Sequence, residues 1–272
     1  MTNLVGVLIS VYKADNPNYL RLALDSILNQ TYKNIHLLIG IDGNVGEEIT
    51  NTLYEFEKWN NVSIFWHKEN RGLACVLNDN IAEGEKLGCD FYARMDADDI
   101  ALPDRFEKQL NFLLENKDID VVGGAIEEID ENSQFRGKKI EYPLTHDECR
   151  RFFRYRDPMA HPATFFRKSY FEKCGGYRNE YRKNQDTMLW FDGFMNGCRF
   201  ANLSDTVLHF RVNDDFFKNR RNGLDRAKKM LKDRFIMNKA LHYDISANIF
   251  ACCMFFMTIS PSWLKKILYK IR

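Results

Sequence analysis

Two continuous apolar runs near the N-terminus, "LVGVLISVY" (4–12) and "IHLLIGI" (35–41), constrain the fold more than any other feature. A strand with one solvated face alternates polar and apolar residues. These runs, rich in β-branched side chains, need cover on both faces. Between them, "DNPNYLRLALDSILNQ" offers Asp15 or Asn16 as N-cap and Pro17 in the first helical turn. Leu20, Leu24, Ile27 and Leu28 follow at i, i+4, i+7 and i+8, one apolar face of a helix. The alternation continues, with "EEITNTLYEFEKW" and "GLACVLNDNIAEGEKLG" reading as helices, and "VSIFW" (62–66) and "DFYARMD" (90–96) as strands. The pattern predicts an α/β fold with a single, mostly parallel sheet, joined by right-handed crossovers and flanked by helices. Ligands of such sheets bind beyond the carboxyl ends of the strands, where Asp42 and Asp96 stand.

After Pro103 a helix (104–116) and a strand (118–126) are expected, and the stretch 127–225 mixes short elements without a clean period. No linker interrupts it, so residues 1–225 read as one continuous domain with halves at 1–100 and 101–225. A basic, amphipathic helical region at 226–272 follows. Between Lys218 and Arg272 there are thirteen Lys and Arg against three Asp, a local charge of +10 in a chain whose net charge is +1. An acidic body with a basic tail points to an anionic surface as partner, membrane or nucleic acid. "SANIFACCMFFMTI" (246–259) is uncharged but shorter than the roughly 20 residues of a membrane span. If "SWLKKILYKIR" is helical, Trp263, Leu264, Ile267, Leu268 and Ile271 gather on one side, the pattern of a helix lying in a membrane interface. The alternative is an apolar element packed on the body or against a second copy. The basic stretch 218–239 reads as one helix of mixed face with no recognisable nucleic-acid module, so no nucleic-acid partner is expected. Seven cysteines with no CxxC pair fit free thiols in a reducing cytosol, and the N-terminus reads as a strand rather than a signal peptide.

Residues 94–99, "RMDADD", put three carboxylates in four positions. Strand alternation would point Asp96 and Asp98 to one side. Two hard oxygen ligands there suit Mg²⁺ or Mn²⁺, ions able to bridge a nucleotide diphosphate. The alternative is a solvated turn in which Asp99 caps the next helix.

The segments "VGVLISVYK", "DSILNQTYKNIHLLIGIDG", "NRGLACVLNDNI" and "ARMDADDIALPDRFEKQ" resemble, in order and spacing, the nucleotide-binding half of the family 2 glycosyltransferases, inverting enzymes of the GT-A fold. "HPATFFRKSYFEKCGGY" and "NQDTMLWFDGFMNG" resemble the family's acceptor-side segments, and the likeness covers roughly residues 3–215. It implies a GT-A fold with a mixed-edge sheet and a C-terminal helical tail, residues 1–100 forming the nucleotide-sugar half. Ser10 and Tyr12 would line the pocket for base and ribose, Asp42 would accept a hydrogen bond from the base, and Asn70, Arg71 and Gly72 would approach the nucleotide. Arg94 would sit near the base or phosphates, Asp96 at the ribose, Asp98 on the metal with Asp96 beside it, and Asp99 near the sugar. Mn²⁺ or Mg²⁺ is the implied cofactor. Asp186 in "NQDTMLWF" would be the base, with Gln185 in place of the more usual acidic neighbour; the alternative is a helix cap, and both can hold. His161 would contact the acceptor or the diphosphate, or serve as a structural histidine. Asn213 stands where many members carry a His, which leaves a third protein ligand in doubt, while Arg211 would neutralise phosphate. The resemblance implies transfer of a hexose from a UDP-sugar to a lipid-diphosphate-linked saccharide in surface polysaccharide synthesis, by a cytoplasmic protein held on the inner membrane face through 246–272. A nucleotidyltransferase on a related sheet would want a Gly-rich, basic phosphate loop after the first strand, which "ISVYKADNP" lacks.

Overall fold

The first apolar run becomes β1 (Val5–Val11), whose Val5, Val7, Ile9 and Val11 enter one core while Leu8 enters a second on the opposite face. The second run, β2 (Ile35–Ile41), divides in the same way, with Ile35, Leu37, Ile39 and Ile41 on one side and Leu38 on the other. Both strands are therefore covered twice, as their composition predicts. The computed structural model describes residues 3–212 and 224–260.

Among the described residues, nine strands form one sheet in the order β3-β2-β1-β4-β8-β6-β9-β5, with β7 paired to β6. The remaining strands are β3 (Val62–Trp66), β4 (Phe91–Arg94), β5 (Ile100–Ala101), β6 (Val121–Ile129), β7 (Phe135–Ile140), β8 (Phe165–Arg167) and β9 (Phe200–Arg211). The parallel part comprises β3-β2-β1-β4 and the β6–β9 pair. The β4–β8, β6–β8, β6–β7 and β5–β9 pairings are antiparallel. The mixed character comes from the stretch 127–225, where the sequence shows no clean period.

Helices α1 (Pro17–Leu28), α2 (Glu47–Phe56) and α4 (Arg105–Glu115) cover the first face. On α1 the cap is Asn16, whose Oδ1 accepts the N–H groups of Asn18 and Tyr19 at 2.9 and 3.3 Å, while Asp15 folds back onto the N–H of Tyr12. The second face carries α3 (Leu73–Lys86), α5 (His146–Phe153), α6 (Lys168–Cys174) and α7 (Gln185–Met195). Beyond them, α8 (Leu224–Ala240) and α9 (Ile245–Ile259) form a helical pair. Met237 and Leu241 belong to the second core, so α8 is packed into the body. Fully burying side chains of this size contributes roughly 1.5–3 kcal/mol each.

Candidate active site

At the carboxyl end of β2, Asp42 is buried, and both of its carboxylate oxygens face a single loop. Oδ1 accepts the N–H groups of Arg71 and Gly72 at 2.6 and 3.2 Å, and Oδ2 accepts Asn70 Nδ2 at 2.8 Å and the Gly72 N–H at 3.0 Å. Two glycines make this approach possible. Gly43 has φ +84°, and a Cβ there would lie 2.9 Å from the backbone nitrogen of Asn70; Gly72 has φ +93°. Ser10 pairs in register with Gly40 at the end of β1, and Tyr12 stands exposed just past it. The structure thus brings Ser10, Tyr12, Asp42, Asn70, Arg71 and Gly72 to the same carboxyl edge of the sheet.

The fourth strand ends at Arg94, two residues earlier than the sequence predicts, so Asp96 and Asp98 belong to a turn. Strand alternation therefore does not orient them. The turn gathers them instead: one carboxylate oxygen from each of Asp96, Asp98 and Asp99 lies within 4.8 Å of the others. Three arginines fix its shape. Buried Arg94 donates to the Met95 carbonyl and to Asp96 Oδ1. Arg105, fully buried at the start of α4, donates from Nη2 to the carbonyls of Arg94 and Thr164 at 2.8 and 3.3 Å, and from Nε to Gln109 Oε1 at 3.0 Å. Arg211, at the end of β9, donates from Nε to the Asp98 carbonyl at 2.8 Å, from Nη1 to the Asp130 carbonyl at 2.6 Å and from Nη2 to Ser133 Oγ at 2.9 Å. Its guanidinium lies 4.1 Å from the Tyr19 ring centroid. Arg211, expected on a phosphate, is thus buried and turned toward the loop that carries the aspartates.

Asp99 does not cap α4. It is fully buried, and its Oδ1 accepts the Arg211 N–H at 2.8 Å, which leaves Oδ2 as the oxygen without a bond. That oxygen is buried and has no hydrogen-bond donor among the described residues. Burial, followed by the charges of Asp98 and Asp96, pushes the Asp99 carboxyl well above its ordinary range. Clustered hard oxygen donors with one unsatisfied acceptor fit a divalent cation.

Asp186 sits in the first turn of α7, behind Asn184, whose φ is +61°. Its Oδ1 accepts the N–H of Thr187 at 2.9 Å, so it also serves its own helix terminus. Burial and then the charge of Asp157 push its carboxyl up to about 6, and Asp96 acts in the same direction. The acidic turn and Asp186, distant in sequence, stand in each other's field. His161 is buried with Nε2 2.8 Å from Tyr177 Oη, and the rings of Tyr177 and Trp190 approach it edge-on at 5.6 and 6.0 Å. Burial, and then Arg94, lower it to about 3, so its imidazole is neutral at physiological pH and offers a diphosphate no charge. Asn213 lies outside the described residues.

Sequence reasoning missed Asp157, Tyr177, Arg105 and Arg182. Asp157 accepts the Thr187 hydroxyl on both oxygens at 2.9 Å. Arg182 reaches across to Asn70, with Nη1 3.0 Å from its Oδ1 and Nη2 3.2 Å from its carbonyl. "RDPMAHP" places an acid next to a rigid Pro, a signal that could have drawn attention to Asp157. Arg105 reads as an ordinary exposed helix residue, and nothing local marks it as buried.

A model of the glycosyl transferase family 2 matches residues 6–175. The O-antigen biosynthesis glycosyltransferase WbnJ of Escherichia coli is 32% identical over 219 residues, which cover 78% of this chain and 81% of that protein. The UDP-Gal:alpha-D-GlcNAc-diphosphoundecaprenol beta-1,3-galactosyltransferase of Escherichia coli is 28% identical over 268 residues, covering 97% and 94%. Among solved structures, S. aureus TarS 1-349 in complex with UDP-GlcNAc matches with a TM-score of 0.64 at 14% identity, over 88% of this chain and 70% of that one, a likeness of GT-A fold. Together with the α/β sheet and its acidic turn, the family match shows that the chain belongs to the family 2 glycosyltransferases and is a glycosyltransferase.

Proposed function

We propose that this glycosyltransferase moves a hexose from a UDP-sugar, with inversion, to a hydroxyl of a saccharide carried on a lipid diphosphate, in surface polysaccharide synthesis. The observation that carries the reading is the gathering of the Asp96, Asp98 and Asp99 carboxylates beyond β4, with the charge of Asp96 among those that raise Asp186. The galactosyltransferase matched over 97% of this chain is named for a UDP-Gal donor and a diphosphoundecaprenol-linked acceptor.

Ser10, Tyr12, Asp42 and the Asn70–Gly72 loop receive the base and ribose, with Asp96 at the ribose and Arg94 near the phosphates. Asp98 and Asp96 would hold Mn²⁺ or Mg²⁺, which when bound supplies positive charge to a leaving diphosphate. Asp186, ionised above about pH 6, takes the acceptor hydroxyl proton while that oxygen bonds to the anomeric carbon and the sugar–diphosphate bond breaks. His161, neutral and hydrogen-bonded to Tyr177, orders the acceptor side.

Residues 246–272 hold the protein on the inner face of the cytoplasmic membrane. Support comes from α9, where Ile245, Ile249 and Phe256 are 76%, 59% and 64% exposed on a helix without charged residues. No described helix is long and apolar enough to cross a membrane. Trp263 and the residues after it lie outside the described residues.

The test offers radiolabelled UDP-galactose, UDP-glucose and UDP-GlcNAc, and GDP- and dTDP-linked hexoses beside them, with sugar-diphosphate lipids, followed by linkage analysis. Transfer with inverted anomeric configuration supports the reading; transfer only from nucleotide sugars other than UDP-sugars, or with retained configuration, overturns it.

A further inference from the structure

The helix α8 reads from sequence as the start of an appended basic tail, but its side chains reach the segment that carries Asp186. Ala227 and Met237 on α8 are buried. Arg234 donates from Nη1 to the Phe153 carbonyl at 2.8 Å, lies over the Phe153 ring at 5.0 Å, and places Nη2 3.5 Å from Asp157 Oδ1. Both oxygens of Asp157 accept the hydroxyl of Thr187 at 2.9 Å, and the backbone N–H of Thr187 donates to Asp186 Oδ1 at the same distance. In the first turn of the helix, Arg226 sets Nη2 3.5 Å from Asn184 Oδ1 and lies in the field of Asp186. A third tie is the Tyr181 hydroxyl, which donates to Asp233 of α8 at 3.1 Å.

We propose that α8 is part of the catalytic apparatus: Arg234, through Asp157 and Thr187, positions the Asp186 carboxylate for proton abstraction. This rests on the reading of Asp186 as the base. Thr187 is the hinge of the relay, because its hydroxyl is gripped from one side while its amide holds the base on the other. A hydroxyl shared between two carboxylate oxygens fixes the side-chain rotamer, and with it the first turn of α7. Asp157 acts a second time through its charge, which opposes ionisation of Asp186. The ionisable groups that face Asp186 come from four places: Asp157 before the short 3-10 turn at His161–Ala163, Asp96 on the acidic turn, Tyr177 on the loop before α7, and Arg226 on α8. Asp157, Thr187 and Arg234 are positioning residues, since none needs to touch the substrates.

The experiment uses the full chain and the UDP-sugar and acceptor pair that the wild type turns over fastest. Thr187→Val keeps the side-chain shape and the amide but removes the hydroxyl; kcat is expected to fall about tenfold, with KM for the UDP-sugar and Kd for UDP within about twofold of wild type. Thr187→Ser restores kcat. Arg234→Ala lowers kcat similarly, and the double variant Arg234→Ala/Thr187→Val is no worse than the poorer single one. Asp157→Asn retains a hydrogen-bond acceptor but loses the charge, so the acid limb of the kcat–pH profile moves to lower pH. Wild-type kcat in Thr187→Val overturns the relay, provided Asp186→Asn abolishes transfer. Wild-type kcat in Arg234→Ala alone overturns the part assigned to α8. If Arg234→Ala does not fold, the Thr187→Val and Thr187→Ser pair decides. Retained transfer in Asp186→Asn sinks the assignment of the base itself, and the relay with it.

Discussion

Asn78 and the backbone of Tyr177 exchange two hydrogen bonds: Asn78 Nδ2 donates to the Tyr177 carbonyl at 2.8 Å, and the Tyr177 N–H donates to Asn78 Oδ1 at 2.8 Å. The pair ties α3, in the half that carries Asp42, to the loop that carries Tyr177 and leads to Asp186. Gly176, at φ +82°, fits against it, since a Cβ there would come within 2.6 Å of Asn78 Oδ1. Asn78→Ala removes both bonds and leaves two backbone groups short of partners, a loss of about 2 kcal/mol. A lower urea midpoint with unchanged m is the expected result, and Asn78→Asp, which cannot donate, should fall between.

Asp42→Ala strips the 70–72 loop of its shared acceptor, leaving the N–H groups of Arg71 and Gly72 and the Asn70 amide without that partner. If this loop shapes the donor pocket, Kd for UDP should weaken about tenfold or more, because unmade hydrogen bonds and a loosened loop both act against binding. Isothermal titration with UDP in the presence of Mn²⁺ reads this directly. Asp42→Asn should lie between, since one carboxylate oxygen becomes a donor facing other donors.

The first four strands and α1–α4 were legible because their local signals agree: apolar runs for strands covered on both faces, Asn16-Pro17 at a helix start, and Asp-Gly at a strand end. The antiparallel insertion was not, because β8 is three residues long and its place between β4 and β6 is decided by long-range pairing. At the candidate site, the clustering of Asp96, Asp98 and Asp99 was legible from their adjacency, but its cause was not. The sequence suggests a strand pointing two carboxylates one way, whereas the turn is shaped by Arg94, Arg105 and Arg211, two of them from elements that follow it. Arg211 could not be assigned from its charge, since only the fold reveals that its nitrogens face two carbonyls and the Ser133 hydroxyl.

Metal removal separates the acidic turn from the rest of the site. With Asp96, Asp98 and Asp99 each placing an oxygen within 4.8 Å of the others, a chelator should abolish transfer and added Mn²⁺ or Mg²⁺ should restore it. Asp98→Ala is expected to lower kcat/KM at least a hundredfold, an order of magnitude typical for loss of a group that stabilises developing charge. Full activity in excess EDTA would exclude this role. Asp99→Asn, at a buried position that accepts the Arg211 amide through Oδ1, should fold at neutral pH, because Asn retains that acceptor.

The carboxyl of Asp186, raised to about 6 by burial and the charge of Asp157, makes two pH predictions. If Asp186 is the base, transfer requires its ionised form, so log kcat should rise with pH and level off above about 6, rather than near the ordinary carboxylate value. Stability runs the other way. A group whose folded pKa is raised contributes stability that is present below the unfolded value and lost as pH rises through the folded one. Asp186→Asn cannot ionise, so it should be more stable than wild type at pH 8, on the order of 2 kcal/mol or a few degrees in Tm, with the gap closing below pH 4. A Tm difference that does not change with pH would mean that Asp186 is not held in a raised state.

The exposed face of α9 makes a separate prediction about location. Ile245, Ile249 and Phe256 project from a helix whose other side, through Ala247 and Ala251, is buried, and whose Asn248 Oδ1 accepts Asn238 Nδ2 of α8 at 2.9 Å. Ile249→Glu combined with Phe256→Glu adds two charges to the exposed face while leaving the Ala247, Ala251 and Asn248 contacts in place. Cosedimentation with vesicles containing anionic lipid should fall about tenfold or more, because each charge opposes insertion of an apolar face. Activity on a soluble acceptor analogue should remain within about twofold, since surface changes remote from a site rarely shift it more. Raising salt should weaken the wild type only in part: it screens the basic flank, whereas α9 itself carries no charge to screen. If the double variant still sediments with vesicles as the wild type does, α9 is not the membrane contact, and the apolar face belongs to a second copy or another protein.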